Sequence, residues 1–213
     1  MKLLLTAISG ICWTLVYIDL IRRGFKDKTC GMPLFALGLN IAWEVLYSID
    51  GLFIHHAFIP AQSAANVAWA VCDCLILVTW FKFGKALLPE KAQQYFVPYS
   101  ILAIASCAVM QLAFYIHFFD NVVAASQYSA FAQNATMSIL FLSMLFRREN
   151  TKGQSMLIAV GKCIGTLAPT ILGGFVESIN WFIICTGAVS FIFDVIYIVF
   201  FANAHKEEQG VRL

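Results

Sequence analysis

The sequence predicts an all-α fold: a polytopic membrane protein of seven transmembrane helices. Composition points there first, because the 213 residues are 61% hydrophobic and only 12% charged, against about 25% charged in soluble domains. Length points there second, since the apolar residues fall into runs close to the ~20 residues that cross a bilayer. Charge placement points there third: the lysines and arginines gather after alternate runs.

Taken in order, the first run is Leu3–Ile21, preceded by Met1-Lys2. It continues through Trp13 and Tyr17 with no small-x-small site, so it reads as a retained helix and not a cleaved signal. Asp19 lies one turn from Arg22 and Arg23, with which it is expected to pair at the interface; Lys26 and Lys28 follow. In the junction Thr29-Cys30-Gly31-Met32-Pro33, Gly31 suits a tight reversal and Pro33 the first turn of the next helix. The second run is Leu34–His56, with Asp50, His55 and His56 in expected solvated positions at its far end. The third is Ala64–Lys82, followed by Lys85 and Lys91 in the longest loop, Phe83 to Tyr95. Then come Phe96–Phe118 and Val122–Phe146, the latter followed by Arg147, Arg148 and Lys152. Ser155–Val176 and Trp181–Ala202 complete the set, with Lys206 and Arg212 after the last. Trp80 and Trp181 sit at span ends, as aromatic belts do.

The runs fill the chain, so residues 1–213 are expected to form one seven-helix domain. The positive-inside rule places the amino terminus outside or in the lumen and the carboxyl terminus in the cytosol. In a eukaryote the location would be the endoplasmic reticulum membrane. Six of the seven cysteines lie in apolar spans and read as small core residues. Cys72-x-Cys74 lacks zinc spacing and partners.

Three carboxyl groups break the apolar pattern. At 1.5 Å per residue, Glu44 lies about 15 Å from the basic end of its span, Asp73 about 14 Å and Asp194 about 12 Å. Lys162 falls at about 11 Å and Asn134 at roughly 18 Å. Ionisable groups at this depth face a bundle interior or cavity and mark functional sites. Helical spacing puts Asn40, Glu44, Tyr47 and Gly51 on one face, Asn66, Trp69 and Asp73 on a second, and Gly187, Ser190, Asp194 and Tyr197 on a third. Such stripes of acid, aromatic and amide or hydroxyl groups suit a pocket lining, to which Trp43 is added. A single intramembrane acid is as readily an interhelical clamp. Lys162 can neutralise only one of three, so the others should be un-ionised at neutral pH, since low polarity and mutual repulsion disfavour their charged forms. Un-ionised carboxyls in an apolar pocket are proton donors.

Specific blocks carry a family resemblance. Tyr17-x-Asp19, Gly24-x-Lys26-Asp27-Lys28-Thr29-Cys30-Gly31-Met32-Pro33, Asn40-Ile41-Ala42-Trp43-Glu44 with Tyr47, Asn66-x-x-Trp69-x-x-x-Asp73 and Asp194-x-x-Tyr197 resemble the small integral-membrane terpene cyclases. These serve fungal meroterpenoid and indole-diterpene pathways, the pyripyropene and paxilline types. The resemblance implies seven membrane helices, no metal or other cofactor, and proton-initiated cyclisation of a polyprenyl chain, commonly after epoxidation of its terminal alkene. It implies that Glu44 and Asp194 match the family's essential acid pair. The aspartate-rich magnesium motif of ionising terpene synthases does not occur in the sequence.

The expected site therefore has Glu44 as proton donor, Asp194 as its partner and Asp73 as an orienting or relaying group. Asn40, Trp43, Tyr47, Asn66, Trp69 and Tyr197 would line the substrate. The expected partners are a lipophilic prenylated small molecule and the bilayer, with no nucleic acid and no obligate protein. A seven-helix transporter or proton-coupled carrier that uses the same buried acids is the alternative.

Overall fold

The computed structural model describes residues 1–56, 58–208 and 210; Arg212, assigned above to the basic end, lies outside them. Seven long helices span the membrane: α1 (Lys2–Lys26), α2 (Leu34–Ile49), α3 (Pro60–Phe83), α4 (Phe96–His117), α5 (Val122–Arg147), α6 (Met156–Ile171) and α7 (Trp181–Glu208). Each is long and apolar enough to do so, α2 and α6 with the π-helical turns that extend them, Asp50–Ile54 and Leu172–Val176. The predicted runs and the helices agree closely, because membrane length and helical hydrogen bonding set both.

α1 packs between α3 and α6, α7 between α6 and α5, and α2 against α3, α4 and α5. Leucines, isoleucines and valines such as Leu15, Ile18, Val71, Ile101, Leu102 and Ile192 face outward, where lipid tails cover them. The interior is packed by Tyr17, Leu37, Ile76, Met137, Phe141, Ile158 and Tyr197. Pro169 interrupts the α6 ladder, since its nitrogen has no hydrogen to donate to the carbonyl one turn back. That carbonyl, on Gly165, accepts instead from Ser9 Oγ of α1 at 2.7 Å.

At the basic end the loops lock together. Asp19 binds Arg22 and Arg23, as expected, and also accepts from Ser155 Oγ. Arg148 donates to the Cys30 carbonyl at 2.7 Å, and Asp27 accepts from the Gly153 amide at 2.9 Å. Gly31 does not serve as a left-handed reversal. A Cβ there would lie 2.1 Å from the Gly153 carbonyl oxygen, so the position is glycine because two loops touch backbone to backbone. Lys28, at φ 51°, makes the reversal instead.

Two further expectations are corrected. Trp80 is buried and donates to Ser100 Oγ at 2.8 Å, joining α3 to α4 rather than sitting in a belt. Asp50 is fully buried and accepts from Tyr115 Oη and pairs with His55 Nδ1, each at 2.6 Å. The solvated role expected from its place near a span end fails because α4 covers that side of α2. Trp181 does lie exposed at the start of α7.

Candidate active site

Glu44 and Asp73 meet where α2 crosses α3. Both are buried, at 2% and 0% exposure, and among the described residues neither has a cation against it. Asp73 approaches Glu44 and Asn40 without completing a hydrogen bond to either. Two carboxyls in mutual contact away from water hold at least one proton between them, since both charges together are too costly.

Glu44 Oε1 is fixed by a chain of donors that crosses four helices. Gln111 Nε2 of α4 donates to Gln133 Oε1 of α5 at 2.7 Å, and Gln133 Nε2 donates to Asn40 Oδ1 of α2 at 3.0 Å. Asn40 Nδ2 donates to Tyr17 Oη of α1, and Tyr17 Oη donates to Glu44 Oε1. Every bond points the same way, so the dipoles add at the carboxyl. Glu44 Oε2 has no hydrogen-bond partner among the described residues. One oxygen is thus held and the other is free to act.

Asp194 lies in a different set of contacts. Its Oδ1 is ion-paired with Lys162 Nζ of α6, which also donates to Ser138 Oγ of α5 at 2.9 Å and lies 5.3 Å from the Phe141 ring centroid. All members of this cluster are buried. Lys162 therefore neutralises one acid, as charge counting requires, and the recipient is Asp194. α5 links the two clusters, with Gln133 in one and Ser138 in the other, about 7.5 Å apart along the axis.

The expected lining residues divide. Trp69 is half-buried, stacks on Tyr17 with ring centroids 6.2 Å apart and donates to Thr14 Oγ1 at 3.1 Å. Trp43 donates to the Ser126 carbonyl at 3.0 Å and packs on Tyr47, whose hydroxyl lies 3.3 Å from Ser129 Oγ. Asn66 is fully buried and accepts from Gln62 at 2.7 Å. Tyr197 packs on Phe141 and Phe201 and donates to Gln154 in the loop before α6, which ties it to the basic end. The sequence reading missed Gln111, Gln133 and Ser138, and used Tyr17 only as part of a motif. An amide inside an oily run was the available signal. Of the adjacent pair Gln133-Asn134 it selected Asn134, and the buried chain uses Gln133.

A void of about 50 Å³ lies beside Gln111, Gln133 and Thr136. A groove of about 640 Å³ opens at the end opposite the basic loops, between Gly51, Leu52, Phe58, Ser63 and Val67.

The family model described as Pyr4-like transmembrane terpene cyclases matches residues 1–207. The chain is 36% identical over 166 residues to the Pyr4-family terpene cyclase mfmH of Annulohypoxylon moriforme, covering 75% of this chain and 64% of that protein. It is 31% identical over 224 residues to terpene cyclase andB of Emericella variicolor, covering 97% and 90%. Against terpene cyclase pyr4 of Aspergillus fumigatus the identity is 24% over 219 residues, covering 94% and 86%. The match thus spans just under two thirds of mfmH and most of the other two. No solved structure matches.

Proposed function

This chain belongs to the Pyr4-like transmembrane terpene cyclases, and from that premise we propose that it closes rings on a prenylated substrate by protonating a terminal epoxide or alkene. The observation that carries this reading is the buried Glu44–Asp73 pair, with no cation, one Glu44 oxygen fixed by Tyr17 and the other unpartnered. Glu44 gives its proton through Oε2 to the epoxide oxygen. The carbon–oxygen bond opens as the next alkene attacks, and Asp73 bears the remaining proton of the pair, limiting the charge that develops. General acid assistance of this kind is worth about 10²–10⁴ in rate.

The cation then needs negative faces and a base. Trp69, Trp43 and Tyr47 supply faces, each contributing about 0.5–2 kcal/mol where a ring meets the charge. Asp194 takes the final proton, directly or through water, and Lys162 keeps it in the carboxylate form required of a base. Hydrocarbon walls fold the chain close to its reacting shape and lower the entropic cost of closure. A lipophilic substrate reaches such a site from the bilayer. The basic end faces the cytosol by the positive-inside rule, and the endoplasmic reticulum membrane is the location proposed for a fungal relative of this kind.

Purified protein in detergent, given an aromatic that bears an epoxidised farnesyl or geranylgeranyl chain, should yield a ring-closed isomer of unchanged mass without added metal. A strict requirement for magnesium would contradict the acid mechanism. Uptake of unaltered substrate into liposomes would favour the carrier alternative.

A further inference from the structure

We propose that the seam between α2 and α3 is the route by which protons from solvent at the groove reach Glu44 and Asp73. The seam is defined by register. A Cβ on Gly51 would lie 2.9 Å from Ser63 Oγ, so the end of α2 and the start of α3 touch there. The helices run antiparallel, and one turn inward the same register brings Ser48 level with Asn66. Glu44 lies one turn further along α2, and Asp73, two turns beyond Asn66 on α3, approaches it where the helices cross.

Along this line the polar atoms lack protein partners. Ser63 Oγ, Ser48 Oγ, Asn66 Nδ2, Glu44 Oε2 and both oxygens of Asp73 are buried and unpaired, on side chains that are at least nine-tenths buried. Each such atom costs about 1–3 kcal/mol if nothing satisfies it, and native interiors satisfy nearly all of them, with water where protein does not. The outer end of the line is open, because Gly51 and Ser63 both border the groove. From Gly51 to Glu44 the path is about 10 Å, the length of a file of roughly four waters spaced at hydrogen-bond distance.

The chemistry requires such a route, given the reading of Glu44 as the acid. Each turnover moves one proton from Glu44 to the substrate, and one leaves the substrate at the Asp194 cluster. Glu44 becomes a carboxylate and regains a proton when an O–H bond of water in the file breaks and a new one forms at Oε2. The proton released from product restores the solvent balance, so nothing is oxidised or reduced. The amide chain through Gln133 and Asn40 does not serve this purpose, because carboxamide nitrogens neither gain nor lose protons at neutral pH. It orients Glu44 and the seam refills it.

The test is hydrogen–deuterium exchange of the buried carboxyl, followed by infrared spectroscopy after rapid transfer of the full-length protein in detergent into D2O. The un-ionised carboxyl band is assigned by its loss in Glu44→Gln. Ser63→Leu, which fills the mouth of the seam, should slow its downshift about tenfold, the effect of one hydrogen bond's worth of added barrier. Ser48→Val, which puts two methyl groups in place of the hydroxyl, should slow it too, and decides the matter if Ser63→Leu does not fold. Gln133→Leu should leave the rate unchanged. Wild-type exchange in both serine variants, slowing in Gln133→Leu alone, or no Glu44-dependent band would overturn the route. Because exchange needs no turnover, a protein that exchanges along the seam yet forms no ring would keep this route and refute the cyclase mechanism.

Discussion

Asp194 and the Glu44–Asp73 pair lie at similar depth in one bundle, and the difference that sets their charge is the partner: among the described residues Asp194 has a lysine and the pair has none. Depth alone would give all three acids the same role. The partner separates them, since a carboxyl against an ammonium is a charged base and structural clamp, whereas two carboxyls against each other store a proton. Breaking the two clusters should therefore have opposite signatures.

The largest effect is expected at Glu44. Glu44→Gln should lower cyclisation by about 10²–10⁴ while the protein remains folded and membrane-inserted, measured as product formed per protein by mass spectrometry. Wild-type turnover in this variant would end the assignment of Glu44 as the donor. Asp194→Asn should come next, and in stability as well as activity. It leaves Lys162 buried and unpaired, at a cost of about 3–5 kcal/mol, readable as a lowered denaturation midpoint. Asp194→Leu combined with Lys162→Met should recover most of that stability and none of the activity. Asp73→Asn sharpens the contrast: replacing an un-ionised carboxyl by an amide of the same shape should change stability by less than about 1 kcal/mol. If it destabilises as much as Asp194→Asn, Asp73 is charged and the comparison fails.

Gln133→Leu is expected to have a smaller effect than Asp194→Asn. It strips partners from Gln111 and Asn40, at about 1–3 kcal/mol, and frees Tyr17 to turn away from Glu44, so kcat should fall more than KM rises. Trp80→Phe should touch activity least: it gives up one hydrogen bond to Ser100 for about 1 kcal/mol of stability and leaves turnover unchanged.

Some of the site was legible because some of its causes are local. Glu44 and Asp73 announce themselves by interrupting apolar helices, and their shared depth follows from counting residues. Asn40 and Tyr47 follow from the spacing to Glu44. Gln133 was not legible beside Asn134, because adjacent residues on a helix point about 100° apart and only the neighbouring helices decide which direction is inward. Trp80 and Asp50 were misread for the same reason: a position near a span end can be wet, lipid-facing or covered, and α4 covers both.

The sequence by itself determined the number of helices, their approximate ends and the level at which each acid sits, because an apolar run long enough for the bilayer and a fixed rise per residue are properties of the chain taken one segment at a time. Only the tertiary structure decided that Lys162 goes to Asp194 and not to Glu44 or Asp73, that the amides form one directed chain ending on Glu44, and that unpaired hydroxyl, amide and carboxyl atoms align between α2 and α3. Those are contacts between segments far apart in the chain, set by which helix packs on which and by its rotation about its own axis, and hydropathy carries no record of either.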